Sequence, residues 1–342
     1  MIHLVQIGNG AERRVAMVEE PHLRCLEEVF SVYELVQRYA QFGSKMSEQA
    51  SALASGELLD YDAIYGGRSE WRLLAPIDVP GQPSRMLVSG TGLTHLGSAR
   101  ERQAMHLAAG KAGGPAKVDE AVTDSMRMFE WGVAGGHPAE DAIGIAPEWF
   151  YKGDGCVLRG PFEALEIPGY AEDGGEEAEI AGVYAIDAEG HPNRIGMVQG
   201  NEFSDHKFEK RNYLNLAGSK LRMCSVGPEL VIGPDFANVR GEVRIERGGE
   251  TVWQKKIASG EENMCHSLAN MEHHHFKFAG HRQPGCVHVH FYGADALSCG
   301  DGVVLRDGDV AEVRFEGFGR ALRNAIREEA KLAGPVRVRA WG

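Results

Sequence analysis

Three acidic side chains and one amine carry the chemistry this sequence could do. Glu177 and Glu179, in "GGEEAEIAGVYAI", stand two apart at the mouth of an apolar run, Ile180 to Ile186, that reads as a buried strand. Side chains at i and i+2 of a strand face the same side, roughly 7 Å apart along the backbone. "GNEFSDHKFEKR" adds Glu202 just after a strand-like stretch, and "LAGSKLRMCSVGPELV" places Lys220 in a loop ahead of another strand. Two carboxylates at ~4 Å repel by about 4 kcal/mol at an effective dielectric near 20, and packing alone gives no reason to tolerate that. A divalent cation removes the repulsion. An all-oxygen set suits Mg2+, with Mn2+ or Ca2+ as substitutes, rather than zinc. Because Mg2+ keeps positions for water or substrate, a three-carboxylate face leaves room for a chelating oxyanion. The competing reading of an E-x-E pair is a solvated strand edge, and the residues alone leave both open.

Other segments offer rival chemistry. In "MEHHHFKFAGH" and "CVHVHFYG", His288 and His290 share a strand face and, with His273 to His275, could form a cupin-like zinc or iron site. The ordinary alternative is strand histidines hydrogen-bonded to backbone, or a pocket wall. "SGTGLTHLG" lacks the G-x-G-x-x-G spacing, a Walker lysine and a later acidic partner, so its glycines read as a tight turn rather than a nucleotide site. "APEWFYKGDG" carries Trp149, Tyr151 and Lys152 in a loop, with the aromatics expected in the core. Arg320 and Arg323 in "GFGRALRN" default to surface ion pairs.

The elements that must position these residues belong to an acidic globular chain. Its 342 residues are 43% hydrophobic and carry a formal net charge of -13, which argues against nucleic acid or an anionic membrane as partner. No apolar run approaches the ~18 residues of a membrane span, and "MIHLVQIGNG" has no basic leader region, so the cytoplasm is the expected location. Six scattered cysteines without a C-x-x-C pair read as reduced thiols. Short strands are expected at Leu4 to Ile7 and Arg14 to Val18, then helices over "VFSVYELVQRYAQFG" and "MSEQASALASG". The proline-rich "APIDVPGQPSR" reads as a linker. Beyond it come a strand at Met86 to Ser89, a helix around Ala116 to Trp131, and short β-type runs separated by Gly/Asp/Pro turns. The fold class is therefore α+β, with a small α-rich N-terminal part (1–80) and a β-rich roll or barrel (81–342).

At these residues the chain resembles the fumarylacetoacetate hydrolase superfamily. Members show E-x-E-L, then N-D-x-S, then a lysine followed by P-x-G-P, and finally G-D-x-V leading to G-x-G-x-L-x-N. The corresponding stretches here are "EAEI", "NEFS", "KLRMCSVGPEL" and "DGDVAEVRFEGFGRALRN", in the same order, and "LLAPIDVPGQPSRMLVSGTGLTHLGSA" resembles the start of the family's catalytic domain. The resemblance implies a metal held by Glu177, Glu179 and Glu202, with Lys220 beside it, and a homodimer. It also implies a 2-keto acid chelated through its carboxylate and keto oxygens, so that an enolate becomes accessible next to the carbonyl. Lys152, Ser225, Gly227 and Asp205 are implied to line the substrate pocket.

Two departures shape the functional expectation. Glu202 stands where most members have aspartate. The family's water-activating H-x-x-E pair corresponds to Ser98 and Glu101, so its histidine is missing, with His95 and His106 as the nearest replacements. Plain hydrolysis is then less secure than a reaction needing only proton abstraction. "NEFSDH", "PEWFYKG" and "GFGRALRN" resemble most a bacterial branch that dehydrates 2-keto-3-deoxypentonates to 2-oxoglutarate semialdehyde. The implied activity is a Mg2+-dependent dehydratase of a 2-keto-3-deoxy sugar acid acting through a metal-stabilised enolate, with Glu101 and His95 first among the candidate acid and base, ahead of His106 and Asp205. The alternatives are a C–C bond hydrolase or decarboxylase of diketo or acylpyruvate-type acids, and a non-enzymatic sugar-acid-binding protein.

Overall fold

A computed structural model describes residues 1–40, 46–112 and 122–341. Two sheets make its frame. The larger is built outward from the run that sequence marks as buried. That run, Ala178–Ile186, pairs antiparallel with Pro192–Asn201 on one side and with Val287–Phe291 on the other. Met86–Gly92 and then Glu148–Asp154 complete that flank. On the opposite flank, Leu230–Ile232 hands the sheet to Ile2–Asn9, followed by Glu12–Glu19, His22–Leu26 and Ala54–Asp60. The smaller sheet orders Glu250–Ser259, Val239–Arg247, Val310–Phe315, Leu322–Glu328 and Leu165–Ile167.

The central strand is covered on both faces, which explains why every one of its residues is buried. Ala178 and Ile180 pack with Met197 and Val231 against Val243, Ile257, Val313 and Phe315 of the smaller sheet. Ala181, Val183 and Ala185, of opposite parity, pack with Val198 and Val289 against Leu26, Val29, Val32 and Leu35 of the N-terminal part. A strand sandwiched this way reads as a continuous apolar run rather than an alternating one.

Most strands lie close to their expected places, and the mixed α+β class holds. The first eighty residues contain more strand than their composition suggests: three strands precede the helix Val32–Ala40, and a fourth follows the helix Met46–Ala52. They also do not stand apart, because Ile2 and Leu4 pair with Ile232 and Leu230 in one continuous sheet. "EWFYKGD" is a strand, not a loop, and Lys220 ends a short helix, Leu216–Lys220. The helix expected over 116–131 is described only as Asp124–Gly135, its first residues lying outside the described ones. Among the described residues, no helix is long and apolar enough to cross a membrane.

Ile180 touches the core between the two sheets and is fully buried. Ile180→Ala should therefore cost about 2–5 kcal/mol in urea unfolding with an unchanged denaturant slope.

Candidate metal-binding active site

The antiparallel pairing of Ala178 with Asn201 brings the start of one strand beside the end of the other, so Glu177 and Glu179 meet Glu202. The Glu202 N–H donates to the Glu177 carbonyl at 2.9 Å and ties the two segments together. One oxygen from each of Glu177, Glu179 and Glu202 lies within 4.8 Å of the other two, and all three side chains are buried. Just past Glu202 the chain turns through Phe203, whose φ of +51° is rare for an aromatic residue. That turn aims the Phe203 carbonyl at Lys152.

Cations balance this charge from two directions. Lys220 Nζ, fully buried, lies 2.5 Å from Glu177 Oε1, also contacts Glu202 Oε2, and sits 4.6 Å over the Phe150 ring. Lys152 Nζ approaches Glu202 Oε1 at 2.5 Å and donates to the Phe203 carbonyl at 2.7 Å. Along Glu148–Asp154 the burial alternates, so Glu148, Phe150 and Lys152 face inward while Trp149 and Tyr151 are 37% and 40% exposed. The aromatics expected in the core thus face partly outward, because the segment is a strand and Lys152 takes its inner face.

Burial and neighbouring charge separate the carboxylates. Burial pushes Glu177 up, but the Lys220 ammonium and the His206 imidazole overcome it and hold the carboxyl well below the usual range. Burial and the charges of Glu177 and Glu202 push Glu179 well above it. Burial lowers Lys152, whereas for Lys220 the charges of Glu177 and Glu202 outweigh burial and raise it. A buried carboxyl kept neutral by burial and like-charged neighbours is a position that a cation would ionise. The donor set is all oxygen, as Mg2+, Mn2+ and Ca2+ require, so the residues fit such an ion.

The surrounding residues anchor these ligands. Glu179 Oε2 accepts the Gly293 N–H at 2.7 Å, and Ser204 Oγ donates to Glu202 Oε2 at 2.8 Å. Glu176 Oε1 accepts the Ser298 N–H at 2.6 Å, and burial lifts its carboxyl to about 7. Arg102, on the helix Leu96–Ala112, is buried between Glu148 at 2.8 Å and Glu209 at 3.0 Å. Glu176, Arg102, Ser204 and His206 were not singled out from sequence. Ser204 and His206 lie inside the quoted "NEFSDH", where they carried a visible signal. Glu176 directly precedes Glu177 in the quoted "GGEEAEI", whereas Arg102, next to Glu101, carries no pattern of its own.

The remaining candidates divide. His95 is buried at the start of the same helix, and its Nδ1 lies 2.8 Å from Thr94 Oγ1. The Thr94 hydroxyl donates its only proton to the Tyr292 carbonyl at 2.6 Å, so Nδ1 must be the donor and Nε2 carries the lone pair. His95 Nε2 has no hydrogen-bond partner in the described structure, and burial lowers the imidazole to about 4. The turn that holds His95 packs on Gly293, the residue that anchors Glu179. Glu101 accepts from Lys255 at 3.0 Å and from the Leu297 N–H at 2.9 Å, with burial raising its carboxyl. The side chain of His106 lies outside the described residues. Asp205 caps the helix His206–Arg211 and pairs with Arg222 at 3.1 Å. Ser225 Oγ donates to Asn324 Oδ1 at 2.7 Å, and Gly227 packs on Pro76 and Pro161. None of these last three is hydrogen-bonded to the carboxylate cluster.

The histidine-rich segment closes on itself. Trp149 Nε1–H donates to His275 Nδ1 at 3.1 Å, so His275 Nε2–H donates to His288 Nδ1 at 3.0 Å. His290 lies between Ser89 and Thr91 at 2.9 and 2.8 Å. Both ring nitrogens of His275 and of His290 are thus spent on hydrogen bonds. Among the described residues, the groups able to share an ion are the three glutamates and an exposed Asp187, Glu189 and His191 set, and the zinc or iron alternative finds no support. Arg320 pairs with Glu20 and Asp62, and Arg323 with Glu246 and Glu312, as sequence leads one to expect.

No family model matches this sequence, and no curated protein is similar to it. Solved structures are. The fold is similar to a 2-keto-3-deoxy-D-arabinonate dehydratase in its apo form, with 18% identity, a TM-score of 0.69, and 96% of this chain and 100% of that one covered. It is similar to a 2-keto-3-deoxy-D-arabinonate dehydratase complexed with magnesium and 2,5-dioxopentanoate, at 18% identity, TM-score 0.68 and the same coverage. It is also similar to a fumarylacetoacetate hydrolase from the psychrophilic Exiguobacterium antarcticum, at 19% identity and TM-score 0.58, over 96% of this chain and 100% of that one. The chain thus has the fumarylacetoacetate hydrolase fold that its motifs imply.

Burial lowers both His288 and His290 to about 3, whereas an unfolded histidine titrates near 6.5. Between these values the unfolded chain binds more protons, so the stability they contribute is complete above pH ~6.5 and is lost as pH falls toward 3. Each adds about 1.4 kcal/mol per pH unit to the acid limb. His290→Gln should flatten that limb by one proton in urea unfolding at pH 7, 5.5 and 4.5.

Proposed function

We propose that this chain is a metal-dependent dehydratase of a 2-keto-3-deoxy sugar acid, with Glu177, Glu179 and Glu202 as ligands of Mg2+ or a similar hard cation. The observation that carries the reading is the convergence of three buried carboxylates beside Lys220 and Lys152, with a neutral His95, its Nε2 unpartnered among the described residues, on the turn that packs against Gly293, the anchor of Glu179. The bound cation would supply a charge for the keto and carboxylate oxygens of the substrate.

The chain's own residues do the rest. Lys220, held protonated by Glu177 and Glu202, offers a fixed positive charge where negative charge develops on the keto oxygen. His95 Nε2 accepts the proton from C3, being neutral at ordinary pH and fixed in the right tautomer by Thr94. Loss of the C4 hydroxyl then needs a proton donor. Glu101, raised by burial and set on the same helix, is the candidate. Burial of the cluster excludes competing water, which favours elimination over hydrolysis.

The reading is also supported by likeness to the dehydratase solved with magnesium and 2,5-dioxopentanoate, a compound that is the semialdehyde of 2-oxoglutarate. Hydrolases of the same fold keep C–C bond hydrolysis of acylpyruvate-type acids as the runner-up. Incubation with a 2-keto-3-deoxypentonate or an acylpyruvate, each with Mg2+, separates the two: semialdehyde from the first supports the dehydratase, and pyruvate from the second only would replace it with the hydrolase. His95→Gln should lower dehydration by about 10²–10⁴-fold while leaving Mg2+ affinity unchanged. Addition of Mg2+ to chelator-treated protein should raise its melting temperature, and Glu179→Gln should abolish the rise.

A further inference from the structure

We infer that His206 is a positioning residue of the metal site, and that Gly175 exists to make room for it. This inference rests on the metal reading above and deepens it. His206 opens the helix His206–Arg211, and Asp205 caps that helix by accepting the Phe208 N–H at 3.0 Å. The imidazole is 3% exposed, and its Nε2 lies 3.0 Å from Glu177 Oε1. Against a carboxylate that nitrogen is the donor.

The choice of oxygen matters. Lys220 approaches the same atom, Glu177 Oε1, at 2.5 Å, and neither donor engages Oε2. Two donors from different elements on one oxygen fix the carboxylate's rotation and leave the other oxygen engaged by neither. Glu179 shows the same arrangement, with Oε2 held by the Gly293 N–H. Lysine alone cannot do this for Glu177, because its ammonium is shared with Glu202 and, as a point charge, imposes little direction on the carboxylate it meets. The flat, rigid ring of His206 supplies the directional restraint. Partners that orient a ligand in this way change metal affinity by about 10–100-fold when lost.

The ring has a built berth. A Cβ on Gly175 would lie 2.1 Å from His206 Nδ1 and 2.4 Å from Cε1, so any side chain there would displace the ring. Gly175 is also held in place, exchanging backbone hydrogen bonds of 2.9 Å each way with Ser204. Its φ is not in the left-handed region, so the need for glycine at this point is steric rather than conformational. The same helix also carries Glu209, the partner of Arg102. Helix, berth and ligand thus form one unit behind Glu177.

Mn2+ binding, read by electron paramagnetic resonance on the purified full chain and with Mg2+ competition, tests this. His206→Ala and Gly175→Ala should each weaken Mn2+ binding by about 10–100-fold, with the free ion signal appearing at lower total metal. His206→Gln, which retains an N–H near the Nε2 position, should recover most of the affinity, whereas His206→Leu, which fills the space without a donor, should not. Melting temperatures measured in chelator show whether each variant is folded, and His206→Gln provides the folded comparison should alanine at 206 unfold the chain. Parental Mn2+ affinity in folded His206→Ala overturns the inference alone. A parent protein that takes up no Mn2+ overturns the metal reading itself, and this inference with it.

Discussion

Everything in this molecule is arranged around negative charge held out of water. Three glutamates within one small volume of a protein interior would each carry several kcal/mol of desolvation on top of mutual repulsion. Lys220, Lys152, His206 and the more distant Arg102 answer that charge, and each comes from a different element. Even so, Glu179 remains pushed toward its neutral form. A carboxyl held in that form by burial and by neighbouring negative charge is one that a further cation would ionise.

The fold makes this possible by sandwiching one strand between two cores. With Ala178–Ile186 buried on both faces, the start of the strand is deep in the molecule instead of at a wet edge, so its acidic residues cannot simply be solvated. Opposing Pro192–Asn201 brings Glu202 to the same depth, and the parallel neighbour of Val287–Phe291, the strand Met86–Gly92, delivers the turn that carries His95. The N-terminal strands lengthen the same sheet rather than forming a separate lobe, and their apolar residues cover the face that the smaller sheet leaves bare.

The histidine-rich segment shows how composition misleads. Six histidines in two short stretches suggest metal, but the partners of His275 and His290, Trp149, Ser89 and Thr91, lie far away in sequence, and only the folded chain shows that the ring nitrogens of these two are already spent. The result is a neutral, stacked cluster of buried rings, with His275 and His290 centroids 4.3 Å apart. Such a cluster packs like aromatic core while resisting protonation.

The sequence by itself determined the central strand, because a seven-residue apolar run bounded by charges has few other readings, and it determined the acidic trio, because E-x-E and a later glutamate fall at the ends of strand-like stretches in a recognisable order. It also placed Lys220 beside them through motif order, and Lys152 in the pocket wall through the family likeness. What it could not determine was anything set by long-range pairing. That Lys152 lies on a strand and faces inward follows from pairing with Met86–Gly92, and no local pattern in "EWFYKGD" distinguishes strand from loop. That Asp205 caps a helix and Ser225 is held by Asn324, a residue remote in sequence, is a matter of tertiary neighbours. The tautomer of His95 depends on a carbonyl at residue 292, and the restraint on Glu177 on a glycine two residues before it and a histidine beyond the next strand. Residue type fixes which groups can ionise or donate; only the folded chain decides which of them share an interior where those properties have consequences.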